Sequence, residues 1–341
     1  MTTPTETVST KDSAAGTPAP APETLERQKL VHQMDKLASV VPPMPGIVLR
    51  LQQELANEWV NIQKLSNLVR TDPTLAGSVL RVANSPYWRG TRQIVEIEEA
   101  IQRMGMETLR SITTVMAMRS AKISDKGPAG SSMRDFWKHS LLVAVGSVQI
   151  ARRSPVDRQG LEQVWMAGLL HDIGSLLSPM LFPVGWTRVL EEIQRIPAAS
   201  PAKTETKDAE GTEDPEEAEA VELPPRLDLL DIERLHMETD HARIGGAFVE
   251  RHWSLPGPIA LLVENWSDPS RLTPPLLAWA VQRADAAAQV MGVCWQPEST
   301  RYRSLEDLPK ESGAGAACDA AVCLECLEKS LPLVEALLTD A

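Results

Sequence analysis

The pair His171-Asp172 is the place in this sequence where residue types and setting most directly suggest chemistry. The pair follows an apolar helical run, Val164–Leu170, so folding must bury an imidazole beside a carboxylate. Burying an unpaired carboxylate is costly, and a metal ion or a hydrogen-bond network offsets that cost. Adjacent residues diverge by about 100° on a helix, so both reach one metal only where helix geometry and rotamers allow. Further ligands must come from other helices.

Two residues in other helical stretches are candidates for those further ligands. His139 lies in the apolar segment FWKHSLLVAV, and Asp285 lies in the Ala-rich segment LLAWAVQRADAAAQV. Each one alone has an ordinary interpretation. A lone histidine on an apolar helix is usually a satisfied core residue, and an aspartate that follows arginine and alanine is usually exposed.

The elements that must position these residues are helices. Apolar residues recur at helical spacing along the chain, and no run of alternating strand residues occurs. Asn61 has the sequence context of an N-cap, and so does Asp72, which precedes Pro73. Gly105 marks the end of a predicted helix. Long helical patterns are predicted at 133–152, 160–177, 227–238, 240–253, 257–266, 274–291 and 316–339. The fold class is therefore all-α, with more helices than a four-helix bundle.

Composition and charge narrow the function classes. Apolar residues make up 43% and charged residues 23% of the 341 residues, which excludes a wholly disordered, collagenous or coiled-coil protein. The net charge is −12, and a non-specific nucleic-acid binder needs a basic surface, so nucleic acid is not an expected partner. Much of the excess negative charge lies in residues 201–222, so the rest of the chain is only mildly acidic.

The same composition predicts the domain organisation. We expect four parts: a disordered arm at 1–24, an N-terminal helical lobe at 25–123, a second helical lobe at 132–293 and a C-terminal extension at 294–341 that ends in a helix. An acidic disordered insertion at 197–225 interrupts the second lobe. The N-terminus lacks the pattern of a signal peptide, and the most apolar window contains His171-Asp172 and is followed by prolines. A cytoplasmic protein without membrane association is expected.

Several strings together resemble a known superfamily. WKHS, AGLLHDIGSLL, DHARIGGAFVERHWSLPGPIALLVENWSDP and RADAAA are similar to the HD phosphohydrolases, which hold a divalent metal with a His…His-Asp…Asp set. VPPMPGIVLRLQQEL, LSNLVRTDPTLAGSVLRVANSPYW and IEEAIQRMGMETLRSI resemble the HDOD family, bacterial signalling proteins with an HD-related output domain. The similarity covers about residues 36–292 and makes 132–293 an HD-like lobe.

The resemblance implies metal-ligand roles for four residues, His139, His171, Asp172 and Asp285. His241 matches a further histidine common in the family and is a possible extra ligand. The sequence departs from the pattern at Trp266-Ser267, where a His-His pair is expected, and at Ser175, where active relatives often carry lysine. These departures disfavour a two-metal site, whereas two imidazoles and two carboxylates suit one ion of Mn, Fe, Co, Ni or Zn.

The expected function is that of a regulator. The resemblance implies a signal-transduction output protein that docks signalling proteins or a nucleotide, without robust hydrolase activity. The alternative is a metal-dependent phosphohydrolase acting on a nucleotide or phosphodiester. An enzyme also needs a general acid and a phosphate clamp, for which Arg243 and Arg251 are candidates by proximity only, and no general base can be named.

Two further patterns favour ordinary interpretations. Leu65–Ala83 has the outline of a helix-turn-helix, but its second helix is poor in side chains that read base edges, so DNA-binding regulation is a minor alternative. Cys318, Cys323 and Cys326 form C-x4-C-x2-C and with Cys294 could hold zinc or an iron–sulfur cluster. Apolar residues interleave these cysteines at helical spacing, which favours thiols packed on a helix.

Overall fold

A computed structural model gives the structure of the chain. It describes Leu30, Met34 and residues 46–55, 57, 59–85, 88, 92–120, 126–196, 228–297, 300, 302 and 319–338. The regular elements among these residues are α-helices and short 3-10 turns, and no strand occurs. The predicted all-α class is therefore confirmed. The arm predicted at 1–24, the insertion predicted at 197–225 and Cys318 lie outside the described residues.

Five helices form the described part of the N-terminal lobe: α1 (Gly46–Leu55), α2 (Ile62–Arg70), α3 (Pro73–Ala83), α4 (Ile97–Met104) and α5 (Met106–Ser120). Their apolar faces pack on one another, with α4 against α2 and α3, and α5 against α1. The buried residues include Leu51, Leu65, Val79, Ile101 and Leu109. Burial of such faces, rather than helix propensity, supplies most of the stability of short helices.

The predicted helix boundaries of this lobe are present in the structure. The Asn61 side chain accepts hydrogen bonds from the backbone N–H groups at the start of α2. Asp72 does the same for α3, with Pro73 at the first helical position. Gly105 ends α4 with a φ of +79°, a conformation that glycine adopts without steric cost.

Nine helices form the rest of the described chain: α6 (Met133–Ala151), α7 (Arg158–Leu170), α8 (Ile173–Leu181), α9 (Pro183–Arg195), α10 (Leu229–Met237), α11 (His241–Arg251), α12 (Gly257–Asn265), α13 (Leu276–Val290) and α14 (Ala320–Leu338). Helix α6 is central, because α7, α13 and α14 all pack on it. Around this centre, α8 packs on α11, and α12 packs on α11 and α7. The core so formed contains Phe136, Leu141, Trp165 and Phe248.

The structure differs from the sequence prediction at 160–177, which was expected to be one helix. Helix α7 ends at Leu170 and α8 begins at Ile173, and the two axes are bent by 43°. Asp172 sits at the break with φ −101° and ψ 3°, in the sparsely populated bridge region. Because of the break, the His171 and Asp172 side chains do not have the directions that a continuous helix would give them. Both side chains can therefore point to one centre.

Among the described residues, no single helix has the length and apolar character to cross a membrane. The bent pair α7–α8 passes that test only when its two helices are taken together.

Candidate metal centre

Three of the predicted ligands converge at one buried point. The Nε2 atoms of His139 and His171 lie 3.2 Å apart. Oδ2 of Asp172 lies 3.2 Å from the first nitrogen and 3.1 Å from the second. These three donor atoms all lie within 4.8 Å of one another, and the three residues have no exposed surface.

Asp285 completes the predicted set from helix α13. Its Oδ1 atom lies 3.2 Å from Nε2 of His139 and 3.7 Å from Nε2 of His171. Asp285 is also fully buried, and Gln289 holds its other oxygen, Oδ2, with a hydrogen bond of 2.8 Å. We call His139, His171, Asp172 and Asp285 the HD centre.

The outer nitrogens of both imidazoles are fixed by backbone carbonyl groups. Nδ1 of His139 lies 2.9 Å from the Val293 carbonyl oxygen, and Nδ1 of His171 lies 2.8 Å from that of Gly168. A carbonyl oxygen only accepts hydrogen bonds, so each Nδ1 carries the hydrogen. In the neutral rings both Nε2 lone pairs then face one another and the carboxylates, the orientation that metal-bound histidines adopt.

A second layer of buried charge lies against Asp172. Nε2 of His241 is 3.2 Å from Oδ1 of Asp172, and Nδ1 of His241 is 2.7 Å from Oε2 of Glu233. Glu233 also accepts a hydrogen bond of 2.8 Å from the backbone N–H of His241, at the start of α11. His241 therefore contacts the HD centre through Asp172, and its charge is balanced by a carboxylate that the sequence analysis did not single out.

Two tryptophans border the centre. The indole N–H of Trp295 donates a 2.6 Å hydrogen bond to Oδ2 of Asp172. Trp266, at the position where the resemblance expects a histidine, packs edge-on against the His171 ring with centroids 4.9 Å apart. Both indoles are almost fully buried, so apolar rings stand between the HD centre and solvent.

Burial and neighbouring charges act in opposite directions on the pKa values of the HD centre. Burial lowers the pKa of His139, but the Asp172 and Asp285 carboxylates outweigh it and raise the pKa to about 10. The pKa of His171 is raised by the same carboxylates against the same effect of burial. Burial raises the pKa of Asp172, yet the surrounding imidazoles hold it well below its usual value, and that of Asp285 is lowered in the same way.

Burial and neighbouring charges balance differently at Glu233 and His241, the pair that lies outside the HD centre. Burial raises the pKa of Glu233, although His241 opposes the shift. The pKa of His241 is raised well above its usual value, because Glu233 and Asp172 outweigh the effect of burial. Opposite charges thus hold the histidines and aspartates in their charged forms unless a cation takes the place of the imidazole protons.

The donor set fits a divalent cation. Imidazole nitrogen and carboxylate oxygen suit Mn, Fe, Co, Ni and Zn. The tetrahedral edge for metal–ligand distances near 2.1 Å is about 3.4 Å, and the donor-atom distances that involve the two imidazole nitrogens are 3.1 to 3.7 Å. Oδ1 of Asp285 and Oδ1 of Asp172 are buried and make no aligned hydrogen bond, so acceptor capacity remains at the centre. His139, His171 and Asp172, with Asp285 beside them, are the residues that would hold one ion.

A close contact between helices α8 and α11 lies next to the His171-Asp172 pair. A Cβ atom at Gly174, two residues after Asp172, would overlap the His241 carbonyl oxygen and lie 2.8 Å from the backbone nitrogen of Gly245. Only glycine allows α8 to approach α11 this closely. The approach brings the start of α11, with His241, beside Asp172.

The other candidate residues lie outside the HD centre. Arg243 lies 3.9 Å from Asp240 at the start of α11, and Arg251 is exposed at the end of that helix. Cys323 and Cys326 are buried on α14, and Cys294 is half-buried. Among the described residues no cysteine belongs to a converging group of metal-ligand side chains.

Sequence reasoning missed four residues around the centre: Glu233, Trp266 as a packing partner, Gln289 and Trp295. A signal existed for Gln289, which lies four residues after Asp285 on the same helix face. Trp295 is separated from Asp172 by more than 120 residues, and no spacing rule predicts such a contact.

The comparison with protein-family models decides the family. The HDOD domain model matches residues 41–214, just over half of the 341-residue chain. The chain belongs to the HDOD family. The match includes His139, His171 and Asp172, and it ends before Asp285 and His241.

Solved structures of similar fold support this HDOD architecture. A Geobacter sulfurreducens HDOD domain protein of unknown function has a TM-score of 0.64 and 20% identity, covering 92% of this chain and 98% of that one. A Shewanella amazonensis protein provisionally named a phosphohydrolase has a TM-score of 0.61 and 20% identity, covering 90% and 97%. A Marinobacter aquaeolei protein provisionally named a signal transduction protein has a TM-score of 0.61 and 16% identity, covering 92% and 65%. At these identities the likeness shows the fold.

A curated relative is known only as an uncharacterized protein of Treponema pallidum. It is 21% identical over 220 residues, which are 64% of this chain. The matched stretch spans 36% of that protein's length, so the relative contains much that this chain does not match.

Proposed function

We propose that this HDOD protein is a signal-transduction output protein whose HD centre holds one divalent ion for structural purposes and has no robust hydrolase activity. The observation that supports this is the complete burial of the HD centre: His139, His171, Asp172 and Asp285 have no exposed surface. Hydrolysis requires a metal with an open position that both water and a phosphoester can reach.

The two tryptophans support the same proposal. Trp295 donates its indole N–H to Oδ2 of Asp172 and covers that side of the HD centre. Trp266 fills the space beside His171 with a ring that cannot ligate a metal. When bound, a divalent ion would supply positive charge that replaces imidazole protons. The chain's own residues orient the imidazoles through carbonyl groups and exclude water.

The proposed regulatory role depends on the binding of other molecules to this protein. We propose that the protein acts by docking signalling proteins or a nucleotide, as its HDOD membership suggests. A bacterial, cytoplasmic setting belongs to the same proposal.

A second candidate function is metal-dependent phosphohydrolysis of a nucleotide or phosphodiester. The convergence of His139, His171 and Asp172 favours it, because such a donor set can hold a catalytic ion. For this function the tryptophans must move to admit a substrate.

A hydrolysis assay separates the two candidates. Untagged protein is loaded in turn with Mn²⁺, Co²⁺, Ni²⁺ and Zn²⁺ and incubated with bis(p-nitrophenyl) phosphate, beside the Asp172→Ala variant. We expect the two proteins to release p-nitrophenol at the same background rate. A metal-dependent rate in the wild type that disappears in Asp172→Ala contradicts the proposal and supports the phosphohydrolase.

A further inference from the structure

A cavity of about 550 Å³ lies between the N-terminal lobe and the second lobe. The junction of α4 and α5, at Met104–Met106, forms one wall, and α6 and α7 form the other. The volume is within the range of about 300 to 1,000 Å³ that holds small organic ligands.

Two helix faces line the cavity with side chains at regular spacing. Helix α6 contributes Val145, Gln149 and Arg152, at i, i+4 and i+7, and α7 contributes Arg158, Glu162 and Trp165 at the same spacing. Such residues share one side of a helix, so each helix turns a single mixed polar and apolar face to the cavity.

The cavity is separate from the HD centre. His139 precedes Gln149 by ten residues on α6, a distance of about 15 Å at 1.5 Å per residue. His171 follows the C-terminal end of α7, whereas the cavity begins at Arg158, the first residue of that helix. The two sites lie toward opposite ends of the same helix pair.

The charged lining of the cavity has an excess of positive charge. Arg110, Arg152 and Arg158 line it together with one carboxylate, Glu162, which lies 3.9 Å from Nε of Arg158. Nη2 of Arg158 also donates a 2.8 Å hydrogen bond to the Leu55 carbonyl oxygen, so this guanidinium uses part of its donors within the protein. Arg110 is buried, forms an ion pair with Glu162 across the lobes and lies over the Trp165 ring at 5.8 Å from its centroid. Arginine recognises phosphate through paired N–H donors, so this lining suits an anion.

The cavity also contains aromatic rings. Trp88 and Trp165 both line it, and an indole face stacks well on a planar base. Trp165 is 2% exposed and its Nε1 is buried, so this ring forms a closed wall of the cavity. Trp88 is half-buried and is the ring that a planar base can reach.

We propose that this interlobe cavity binds a mononucleoside phosphate. The base stacks on the half-buried indole of Trp88, and the phosphate binds to the guanidinium groups of Arg152 and Arg158. This inference deepens the nucleotide-binding part of the proposed function and rests on it. It is independent of whether the HD centre holds a metal.

Titration of the full chain with AMP and GMP tests the proposal. Isothermal calorimetry gives the affinity, and adenosine and ribose 5-phosphate serve as half-ligands. We expect at least one nucleotide to bind about tenfold or more tightly than either half-ligand, because base and phosphate each contribute. Absence of binding by both nucleotides at millimolar concentration overturns the proposal.

Variants locate the binding site. Arg152→Glu reverses an exposed charge on the lining, and Trp88→Ala removes the ring on which the base stacks. Each is expected to weaken binding about tenfold. Arg188→Glu, an exposed charge reversal on α9, is the matched control and should not change the affinity.

The outcomes distinguish the cavity from the HD centre. Binding that survives in Asp172→Asn and falls in Arg152→Glu supports the cavity. Binding that is lost in Asp172→Asn and unchanged in Arg152→Glu places the nucleotide at the HD centre and overturns this inference. The hydrolysis assay is read separately, so failure of either claim can be recognised.

Discussion

At the scale of single residues, the HD centre is a buried set of balanced charges. His139, His171 and His241 lie against Asp172 and Asp285, and Glu233 balances His241 from the outside. Opposite charges at about 3 Å compensate the desolvation of their partners only while all of them are present. Asp172 lies near three imidazoles and accepts a hydrogen bond from the indole of Trp295.

Removing the Asp172 carboxylate should therefore be strongly destabilising. We expect Asp172→Ala to lower the free energy of unfolding by about 3 to 5 kcal/mol, because it leaves buried imidazoles and an indole N–H without their acceptor. Urea denaturation of metal-free protein measures the change. Asp268→Ala, which removes an exposed carboxylate paired with Arg271, is the control and should cost less than about 1 kcal/mol. Equal midpoints for the two variants would contradict the prediction.

At the scale of elements, the break between α7 and α8 and the contact of α8 with α11 position the centre. The periodicity of the sequence predicted helices on both sides of His171-Asp172, and the structure has them. It did not predict the break, because apolar residues continue through the pair at helical spacing. The break lies beside a tertiary contact, the close approach of Gly174 to His241, which the spacing of residues along the chain does not encode.

A substitution at Gly174 tests that contact. We expect Gly174→Ala to lower the free energy of unfolding by about 3 kcal/mol or more, because the new Cβ would overlap the His241 carbonyl oxygen and force the helices apart. Thermal denaturation followed by circular dichroism measures the loss.

The matched control for Gly174→Ala is Gly77→Ala, within α3. A Cβ atom at Gly77 meets no other atom within 4 Å, so this variant should gain up to about 1 kcal/mol from helix propensity. If Gly174→Ala behaves like Gly77→Ala, the close helix approach is not what fixes the HD centre.

At the scale of the whole molecule, contacts between distant parts of the chain matter most. The four candidate ligands could be named from the sequence because the HD-type motifs carry them, and the structure brings them together in one buried cluster. The contact of Trp295 with Asp172 and the cavity between the lobes could not be predicted. Both depend on how helices that are distant in the sequence pack against one another. The spacing of residues within one helix does not determine that packing.

The interlobe ion pair of Arg110 and Glu162 is a direct test of that placement. The Arg110 side chain is 3% exposed and Glu162 is 15% exposed. We expect Glu162→Ala to lower the free energy of unfolding by about 3 kcal/mol, because it takes a carboxylate from a buried guanidinium. Glu192→Ala breaks an exposed pair with Arg195 and should change it by less than about 1 kcal/mol. Calorimetric scans of both variants give the comparison.

The central claim is that His139, His171, Asp172 and Asp285 form a buried site for one divalent ion. Elemental analysis of untagged protein, beside His171→Ala and Asp172→Ala, tests it most directly. The account predicts about one equivalent of a transition metal per chain in the wild type and loss of that metal in both variants. Wild-type protein that remains free of metal after incubation with Mn²⁺, Co²⁺, Ni²⁺ and Zn²⁺ would contradict it, and so would folded variants that retain the metal.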